Sequence, residues 1–537
     1  MRSYRRMNLT SKLQGALARW RLNMAAREVA GHAPEPAEGP PVVFFNASTR
    51  LWGLSQNAAF QLLTAWSLRL QGVPVVQFVC RRGMPRCILG TDSDRPDPPP
   101  PCGLCQAWSR RLYAGMPQRP FTYAADPALE AALDGLSVEA LQDFVHQGVP
   151  LGALVLPGLR WRLRRHTLAD DALTRALYAD FIRGAWQVVR DFGALLDETR
   201  PRAAVVFNGQ FFPEAAARWA ARQRGVRVIT HEVGLRPLTA YFTEGEATAY
   251  PIAIPDDFDL TPEQNARLDA YLSRRFQGDF TMAGIRFWPE MRGLDEAFLR
   301  KAAGFRQIVP VFTNVIFDTS QPHANVVFPH MFAWLDAVLE ITRAHPETLF
   351  VIRAHPDEQR PGKAARESVR EWVQRRRVAD LPNVVFVDSQ EFLNSYDLIR
   401  RAKFVMVYNS TIGLEAVLLG KAVLCGGKAR FTQYPIVFFP QTPEAYRARA
   451  EEFLRADGAE VPAPPEFRRN ARRFLYYQLY KVSLPFDAFL EDEPRARGYV
   501  RLKPFRWQAL LPENSPTMRV IAAGLLEERP FVMPEEV

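Results

Sequence analysis

Short apolar runs alternate with longer amphipathic segments through residues 305–460. The apolar runs are rich in β-branched and aromatic residues, which predicts strands, and the segments between them carry apolar residues at helical spacing. The predicted strands are Ile308–Thr313, Thr348–Arg353, Val384–Val387 and Phe404–Tyr408. Strand, helix and strand in this order form a parallel, right-handed unit. The pattern therefore predicts a doubly wound α/β domain over 305–460.

The same alternation appears earlier in the chain and predicts a second Rossmann-like domain over residues 41–254. Its predicted strands are Val42–Phe45, Pro74–Cys80, Ala204–Phe207 and Val226–Thr230. Residues 126–200 are predicted to be mostly helical. The remaining segments are a basic extension and linker (1–40), a connection between the domains (255–304), and a C-terminal helix and tail (461–537). The connection includes a capped helix that begins at Thr261.

Polar residues of ligand-binding type follow three predicted strands of the second domain. Asn314 and Asp318 follow the first strand, Arg353 and His355 stand at the end of the second, and Ser410 follows the fourth. Ligands of open α/β sheets bind beyond the carboxyl ends of the strands. Arginine suits phosphate because its planar donors bind two oxygens at once. These positions predict a site for a nucleotide phosphate.

The stretch 404–427 reads as a strand, a polar turn and a helix. Ser410 or Thr411 is placed to cap the helix, and Gly413 lets a ligand approach the backbone. An anion is the expected guest, because helix N-termini favour negative charge. Glu415, one turn further in, is placed to accept hydrogen bonds from a ribose. The alternative is an ordinary strand-to-helix connection with Ser/Thr caps.

A His-Glu pair follows the predicted strand Val226–Thr230 of the first domain. A general base must lie within hydrogen-bond reach of the proton that it takes, and Glu232 qualifies by its position at a strand end. His231 is its neighbour. The alternative for Glu232 is a loop glutamate that pairs with a nearby arginine such as Arg236.

Composition and charge narrow the function classes. With 537 residues, of which 47% are hydrophobic, the chain is long enough for two cores. No apolar run approaches the roughly 18 residues of a membrane span, and no secretory leader opens the chain, so we expect a cytoplasmic protein. A net charge of +10 suits nucleic acid, an anionic membrane or phosphate-bearing substrates. No nucleic-acid module accompanies it, so we expect no nucleic-acid partner.

Two basic segments have alternative interpretations. Residues 1–40 combine arginines with Leu13, Leu17, Trp20 and Met24 at helical spacing, which predicts either a helix on an anionic membrane or one docked on the protein itself. The arginines at 160, 162, 164 and 165 predict either contact with an acceptor phosphate or a solvated helix face.

Four of the five cysteines fall in the insertion 80–105: Cys80, Cys87, Cys102 and Cys105. In a reducing cytoplasm a disulfide framework is improbable, whereas four thiolates ending in a Cys-x2-Cys pair are able to hold a structural zinc ion. The alternative is a set of buried thiols beside a Pro-rich loop.

Three motifs carry a resemblance to a known family. They are Arg353-x-His355-Pro356, then Tyr396-Asp397-Leu398-Ile399, then Asn409 to Ala416 with Gly420-Lys421. Their order and spacing resemble the capsular polysaccharide biosynthesis proteins related to bacterial β-Kdo transferases. They are also similar to polysialyltransferases and to the glycerophosphotransferases of teichoic acid synthesis. The resemblance implies a GT-B-like α/β fold, in which two Rossmann-like domains face a cleft.

The resemblance also implies roles for individual residues. His355, Ser410 and Thr411 would hold the donor phosphate, and Glu415 would contact the ribose. Glu232-Val233-Gly234 is similar to the family's Glu-Asp-Gly base motif, although Val233 departs from it, so Glu232 is the implied base and His231 its substitute. Fixed donors and a helix N-terminus would stabilise the leaving nucleotide without a metal cofactor.

The sequence thus predicts a glycosyltransferase that moves a sugar from a nucleotide-activated donor, such as a CMP-Kdo-like one, to a surface or capsular polysaccharide. The expected partners are this donor, a saccharide or lipid-linked saccharide acceptor, and the cytoplasmic membrane as a peripheral contact. Two alternatives remain: another GT-B chemistry, such as glycerophosphate transfer or sugar epimerisation, and a non-catalytic scaffold of envelope assembly.

Overall fold

The structure is a computed structural model that describes residues 9–47, 53–92, 94, 98–277, 281–282, 285–286, 292–360, 363–391, 393–494, 496 and 498–535. The strands are β1 (Val42–Asn46), β2 (Leu54–Ser55), β3 (Val75–Cys80), β4 (Gln118–Phe121), β5 (Ala203–Phe207), β6 (Val228–Val233), β7 (Thr239–Glu244), β8 (Thr281–Met282), β9 (Ile285–Arg286), β10 (Gln307–Phe312), β11 (Thr348–Arg353), β12 (Val384–Val387), β13 (Val405–Val407), β14 (Val423–Cys425), β15 (Leu484–Pro485), β16 (Leu490–Asp492) and β17 (Tyr499–Leu502).

The α-helices are α1 (Leu9–His32), α2 (Gln56–Leu70), α3 (Cys102–Leu112), α4 (Pro127–Leu133), α5 (Val138–Gln142), α6 (Leu151–Leu163), α7 (Ala172–Thr199), α8 (Glu214–Arg222), α9 (Pro262–Phe276), α10 (Glu296–Ala302), α11 (Gln321–Ala324), α12 (Met331–Ala344), α13 (Val369–Arg375), α14 (Ser395–Arg400), α15 (Ile412–Leu418), α16 (Pro443–Arg455), α17 (Pro465–Tyr476) and α18 (Pro516–Leu526). Across the described ranges, no helix is both long and apolar enough to cross a bilayer.

The second sheet is fully parallel, with the strand order β12-β11-β10-β13-β14. β10 lies in the middle, and its last residue, Phe312, is in register with Arg353 of β11 and Val407 of β13. Hydrophobic cores cover both faces of this sheet, one built around α12 and the other around α14 and α15. This arrangement confirms the predicted doubly wound α/β class.

The first sheet has the order β15-β7-β6-β5-β1-β3-β4. Its strands from β4 to β6 are parallel, whereas β7 and β15 run antiparallel at one edge. The prediction of a strand over Val226–Thr230 is wrong at its end, because β6 continues to Val233. The reason is the hairpin with β7, which pairs Glu232 with Tyr241 and Val233 with Ala240, whereas pairing with the parallel neighbour β5 ends at His231.

The C-terminal tail returns to the first unit, meaning the first sheet with the helices packed on it. Leu484 of β15 pairs with Ala240 of β7, and β17 pairs with β2. Ile521 of α18 is buried in the same core as Trp66 of α2. The tail therefore completes one face of the first unit.

Helix α1 also packs on the first unit, through Leu22, Ala26 and Val29, which are buried in that core. Its outward face carries Trp20, which is 59% exposed, together with exposed Leu17 and Met24. The helix is therefore docked on the protein, as one alternative predicts, and still presents an apolar stripe to solvent. Arg2, Arg5, Arg6 and the rest of residues 1–8 lie outside the described residues.

A buried ion pair joins the connecting segment 255–304 to the second unit. The second unit means the second sheet with the helices packed on it. Helix α9 begins with the predicted cap, in which Thr261 and Gln264 form a capping box. Near its other end, Arg275 Nε donates to Glu415 Oε1 over 2.9 Å, and Tyr396 OH donates to Glu415 Oε2 over 2.6 Å. Burial alone would lower the pKa of Arg275. The negative charge of Glu415 outweighs burial, so the net pKa of Arg275 is raised. The carboxylate thus holds α9 and α14 against α15.

Replacing Glu415 with glutamine should destabilise the protein by about 3 kcal/mol, because removing one charge of a buried pair leaves the other uncompensated. The matched control is Glu296→Gln, since Glu296 forms an exposed pair with Arg300 four residues later, and such pairs contribute little. The measurement is the urea-unfolding midpoint at pH 7. Equal midpoints for the two variants would contradict the assigned role of Glu415.

Candidate functional site

A cleft of about 500 Å³ lies where the first unit meets the carboxyl ends of the second sheet. One wall is formed by the segment that follows β7, and the other by loops after β10, β11, β13 and β14. The lining residues are Thr248, Ala249, Pro251, Asn314, Val315, Asp318, Ser320, Pro322, His323, Val326, His355, Asp357, Asn409, Ser410, Thr411, Lys428, Ala429, Arg430 and Gln433.

Five residues singled out from the sequence line this cleft together: Asn314, Asp318, His355, Ser410 and Thr411. Asn314 Nδ2 donates to Asn409 Oδ1 over 2.6 Å, which ties the loop after β10 to the loop after β13. The backbone N–H of Val315 donates to Asn314 Oδ1 over 2.8 Å. Both contacts fix the amide of Asn314 at the cleft wall.

His355 supplies an uncharged donor to the cleft. Its Nδ1 accepts a hydrogen bond from the backbone N–H of Asp357 over 3.1 Å, which leaves the proton of the neutral ring on Nε2. Burial lowers the pKa of His355, and the nearby charge of Asp357 opposes that effect without reversing it. The imidazole is therefore neutral at pH 7 and donates through Nε2–H.

Two cations, Lys428 and Arg430, also line the cleft and were missed in the sequence analysis. They follow β14, which lies beside β13 in the sheet. The guanidinium of Arg430 lies 3.9 Å from the ring centroid of Tyr250, a cation–π contact that holds its position. Their positions after a strand end could have identified them, because polar residues that follow β14, which ends at Cys425, reach the same edge of the sheet as those that follow β10, β11 and β13.

Three predicted donor-side residues do not line the cleft: Arg353, Gly413 and Glu415. Arg353 is only 3% exposed, and its Nη2 lies 3.5 Å from the carbonyl oxygen of Glu391. A Cβ on Gly413 would lie 3.1 Å from Val407 Cγ2 and 3.2 Å from Phe431 Cζ, so the space beside this glycine is filled by side chains of the protein. Glu415 is the partner of Arg275 and Tyr396 in the buried ion pair. The prediction that these three residues line the donor site is therefore wrong.

His231 is fully buried, which removes it as the substitute base. Its ring packs against Phe242 at 5.2 Å between centroids, and its Nε2 lies 2.9 Å from the amide nitrogen of Gln61. Burial lowers the pKa of His231 to about 3. Because side chains alternate across a strand, Glu232 points to the opposite face of the sheet from His231.

Glu232 lies next to the second unit. The side-chain amide of Asn208 donates to Glu232 Oε1 and lies 3.4 Å from Thr319 Oγ1, in the loop after β10. The pKa of Tyr250 is raised to about 12, first by burial and further by the charges of Glu232 and Asp318. Glu232 therefore lies near Tyr250, which packs under Arg430.

A polar network crosses between the two units at the same end of the cleft. His323 Nε2 lies 3.1 Å from Glu246 Oε2 and 3.0 Å from Thr248 Oγ1. Gln210 and Arg218 also donate to Glu246. Burial raises the pKa of Glu246, but the hydrogen bond from His323 and the charge of Arg218 outweigh it and lower the pKa to about 2.

The arginine segment 160–165 serves the contact between the units at another point. The backbone N–H of Arg366 donates to the carbonyl of Arg164 over 2.8 Å, and Arg160 Nε donates to the carbonyl of His166 over 2.9 Å. Glu367 accepts from the N–H groups of His166 and Thr167 at 2.9 Å. This segment is neither a solvated face nor part of the cleft.

A smaller cavity of about 40 Å³ lies in the first unit at the carboxyl ends of β1 and β5. Aromatic rings form much of its wall, including Trp161, Phe207 and Phe211. Gln61 Oε1 and Asn57 Oδ1 are buried there, and neither has a hydrogen-bond partner among the described residues. The cavity thus combines aromatic faces with buried acceptors.

Residues 292–437 match the model of a family described as "Capsule polysaccharide biosynthesis protein". Among curated proteins, Protein FixF of Sinorhizobium fredii is 30% identical over 237 residues. The match covers 43% of this chain, and it spans only half of the length of FixF.

Three solved structures are similar over larger parts of the chain. The β-Kdo 2,4-transferase of Thermosulfurimonas dismutans KpsC is 13% identical, with a TM-score of 0.33 and coverage of 53% of this chain and 80% of its own. The β-Kdo 2,7-transferase of the same KpsC is 14% identical, with a TM-score of 0.31 and coverage of 60% and 87%. The S. aureus MnaA–UDP co-structure is 12% identical, with a TM-score of 0.25 and coverage of 82% and 96%.

The resemblance predicted from the motifs at 353–356, 396–399 and 409–421 is confirmed over this part of the chain. The segment that builds the second sheet and most of the cleft matches the capsule polysaccharide biosynthesis family.

Proposed function

We propose that the protein is a glycosyltransferase that moves a sugar from a nucleotide-activated donor to a growing capsular or surface polysaccharide. The observation that carries the proposal is the cleft itself, where residues after four strand ends of the second sheet meet and a carboxylate of the first unit lies nearby. Its volume of about 500 Å³ falls within the range of ligand pockets. The family match of residues 292–437 supports the same function.

On the donor side, Lys428 and Arg430 bind the phosphates, and His355 and Ser410 donate further hydrogen bonds. Negative charge gathers on the leaving nucleotide as the glycosidic bond breaks. Fixed donors in a site that excludes water stabilise that charge without reorganising. In this proposal these side chains carry out the task that a metal ion performs in other phosphate sites.

On the acceptor side, Glu232 takes the proton of the attacking hydroxyl. Asn208 orients its carboxylate and also contacts the loop that carries Asp318. The acceptor in this proposal is a saccharide, either in solution or linked to lipid, in keeping with the family match of residues 292–437.

Thermal stabilisation by CMP, CDP and UDP tests the donor assignment, because a ligand that binds only the native state raises the unfolding midpoint. A response to CMP supports a Kdo-like donor, and a response to UDP supports a hexose donor or an epimerase. If no nucleotide raises the midpoint, the proposal fails and the scaffold alternative stands.

Replacing Glu232 with glutamine should lower turnover by roughly 10²- to 10⁴-fold, because the amide cannot accept the proton. Nucleotide affinity should stay unchanged. The control is Glu244→Gln, since Glu244 lies nearby on β7 and pairs with Arg227 at the surface. Product formation under saturating donor is the measurement, and near-normal turnover in Glu232→Gln would remove this residue from the mechanism.

Replacing Lys428 with alanine should weaken nucleotide binding by roughly 10- to 100-fold, the usual loss for a charged hydrogen bond of about 1.5–3 kcal/mol. The dependence of affinity on salt should also become weaker, because one fewer charge attracts the phosphates. Titration calorimetry at two salt concentrations measures both effects. Lys503→Ala serves as the control, since Lys503 lies in the tail on the first unit and binds the Asp487 carbonyl. An unchanged affinity in Lys428→Ala would place the phosphates elsewhere.

We further propose that the outward stripe of α1, formed by Leu17, Trp20 and Met24, rests on the cytoplasmic face of an anionic membrane. The exposed side chains of Arg19 and Arg27 flank this stripe and complement anionic headgroups. The net charge of +10 favours the same surface. Such a peripheral contact would bring the cleft to lipid-linked acceptors.

The full-length protein should sediment with vesicles that contain phosphatidylglycerol, and Trp20→Glu should lose most of this binding, because a charge replaces the apolar contact. Leu173→Glu is the matched control, since Leu173 is 43% exposed on another helix. Vesicles of phosphatidylcholine alone test the electrostatic part. A parent protein that stays in the supernatant with anionic vesicles would refute the membrane contact.

A further inference from the structure

The four cysteines of the 80–105 insertion meet at one small cavity. Cys80 ends β3, Cys87 lies in the following loop, and Cys102 and Cys105 stand one turn apart at the start of α3. All four line a cavity of about 30 Å³. The chain thus brings together thiols from three separate places, although nothing in the proposed transfer reaction uses them.

Two of these thiols accept hydrogen bonds from the backbone in the same way. The N–H of Gly83 donates to Cys80 Sγ over 3.2 Å, and the N–H of Gly90 donates to Cys87 Sγ over 3.1 Å. In both turns the donor is a glycine three residues after the cysteine. A Cβ on Gly90 would lie 2.8 Å from Cys87 Sγ, so a side chain there would crowd the sulfur. N–H donors aimed at sulfur stabilise a thiolate more than a thiol.

All five cysteines of the chain, each within the described ranges, are present as thiols. Because all four thiols of the insertion line one cavity, their thiolates would lie close together there and repel one another. A bound cation would remove this repulsion, and the thiol protons would be released to solvent as it binds.

We propose that Cys80, Cys87, Cys102 and Cys105 bind one structural zinc ion. Four thiolates are a common zinc ligand set, and Cys102-x2-Cys105 has the spacing of its second pair. A cavity of about 30 Å³ admits a single ion but not an iron–sulfur cluster. In the described part of the chain, no three His, Cys, Asp or Glu side chains already stand as a metal-ligand set, so binding includes rotation of these short side chains into the cavity.

The ion would join the end of β3, the loop at Cys87 and the start of α3. The loop from Cys87 to Gly90 lies between the thiol cavity and the aromatic cavity described above, and Leu89 lines both. Ile88 lines the aromatic cavity. Zinc at Cys87 would therefore also fix one wall of the aromatic cavity. This inference does not rest on the proposed function.

Metal analysis of the full-length, tag-free protein tests the site. The parent should carry about one zinc per chain, and Cys102→Ser and Cys105→Ser should lose most of it. Cys425→Ser is the matched control, because Cys425 is a buried thiol of β14 in the other unit and should leave the zinc content unchanged. A parent without zinc, or a Cys102→Ser variant that retains it, would overturn the proposal.

A second measurement covers the case in which the serine variants fail to fold. Removing the metal from the parent with a chelator should lower its thermal midpoint, and zinc but not magnesium should restore it. Titration of thiols in denaturant with chelator should count all five cysteines. A lower count would indicate a disulfide among the four and would also refute the zinc site. Because these readouts need no substrate, they are independent of whether the protein transfers a sugar.

Discussion

The parallel pairing of β10 with both β11 and β13 brings the polar loops that follow these strands together at the cleft. Phe312, at the end of β10, is in register with Arg353 on one side and Val407 on the other. The residues that follow these three positions therefore leave the sheet at one edge and within reach of one another. The hydrogen bond between Asn314 and Asn409 is the direct consequence, although 95 positions separate the two residues in the chain. Without this strand order the polar loops would not share a cleft.

The cleft also needs the first unit, which is held against these loops by polar contacts. Asn208 reaches Thr319, and His323 reaches Glu246 and Thr248. The low pKa of Glu246 keeps its carboxylate charged through neutral and mildly acidic pH, so its bonds to Arg218 and His323 persist there. Since the folded-state pKa lies below the ordinary value of 4.5, this contribution to stability is complete above about pH 4.5 and is lost progressively as the pH falls through about 2.

Much of the second sheet and of the cleft could be predicted from the sequence, because buried parallel strands have a strong local signal and their carboxyl ends bind ligands as a general rule. Asn314, His355 and Ser410 were found in this way. The role of Glu415 could not be found, since its partner Arg275 lies 140 residues earlier in the chain. A carboxylate one turn into a helix looks the same in sequence whether it faces a ligand or a buried arginine.

The end of β6 shows a second limit. Its local pattern ends at Thr230, but pairing with β7 carries the strand on to Val233. A pair predicted to stand in a loop therefore lies within a strand, and the pleat places His231 in the core and Glu232 on the opposite face of the sheet. A local sequence pattern cannot show such pairing, because it depends on contacts with another strand. The zinc proposal has the same origin, since spacing identified the cysteines and only the fold shows that all four reach one cavity.

The partners of the carboxylates near the cleft explain why Glu232 is the base in our proposal. Glu246 is bound by Arg218 and His323, and a carboxylate whose pKa is lowered to about 2 is a poor acceptor for the proton of a hydroxyl. Asp318 accepts hydrogen bonds from the backbone N–H and the hydroxyl of Ser320, which commit it to its own turn. Glu232 Oε1 accepts a hydrogen bond from the side-chain amide of Asn208, and the same amide lies 3.4 Å from Thr319 Oγ1 in the loop after β10. A base must lie within hydrogen-bond reach of the proton that it takes, and this contact with a loop of the second unit is why we propose Glu232 for that role.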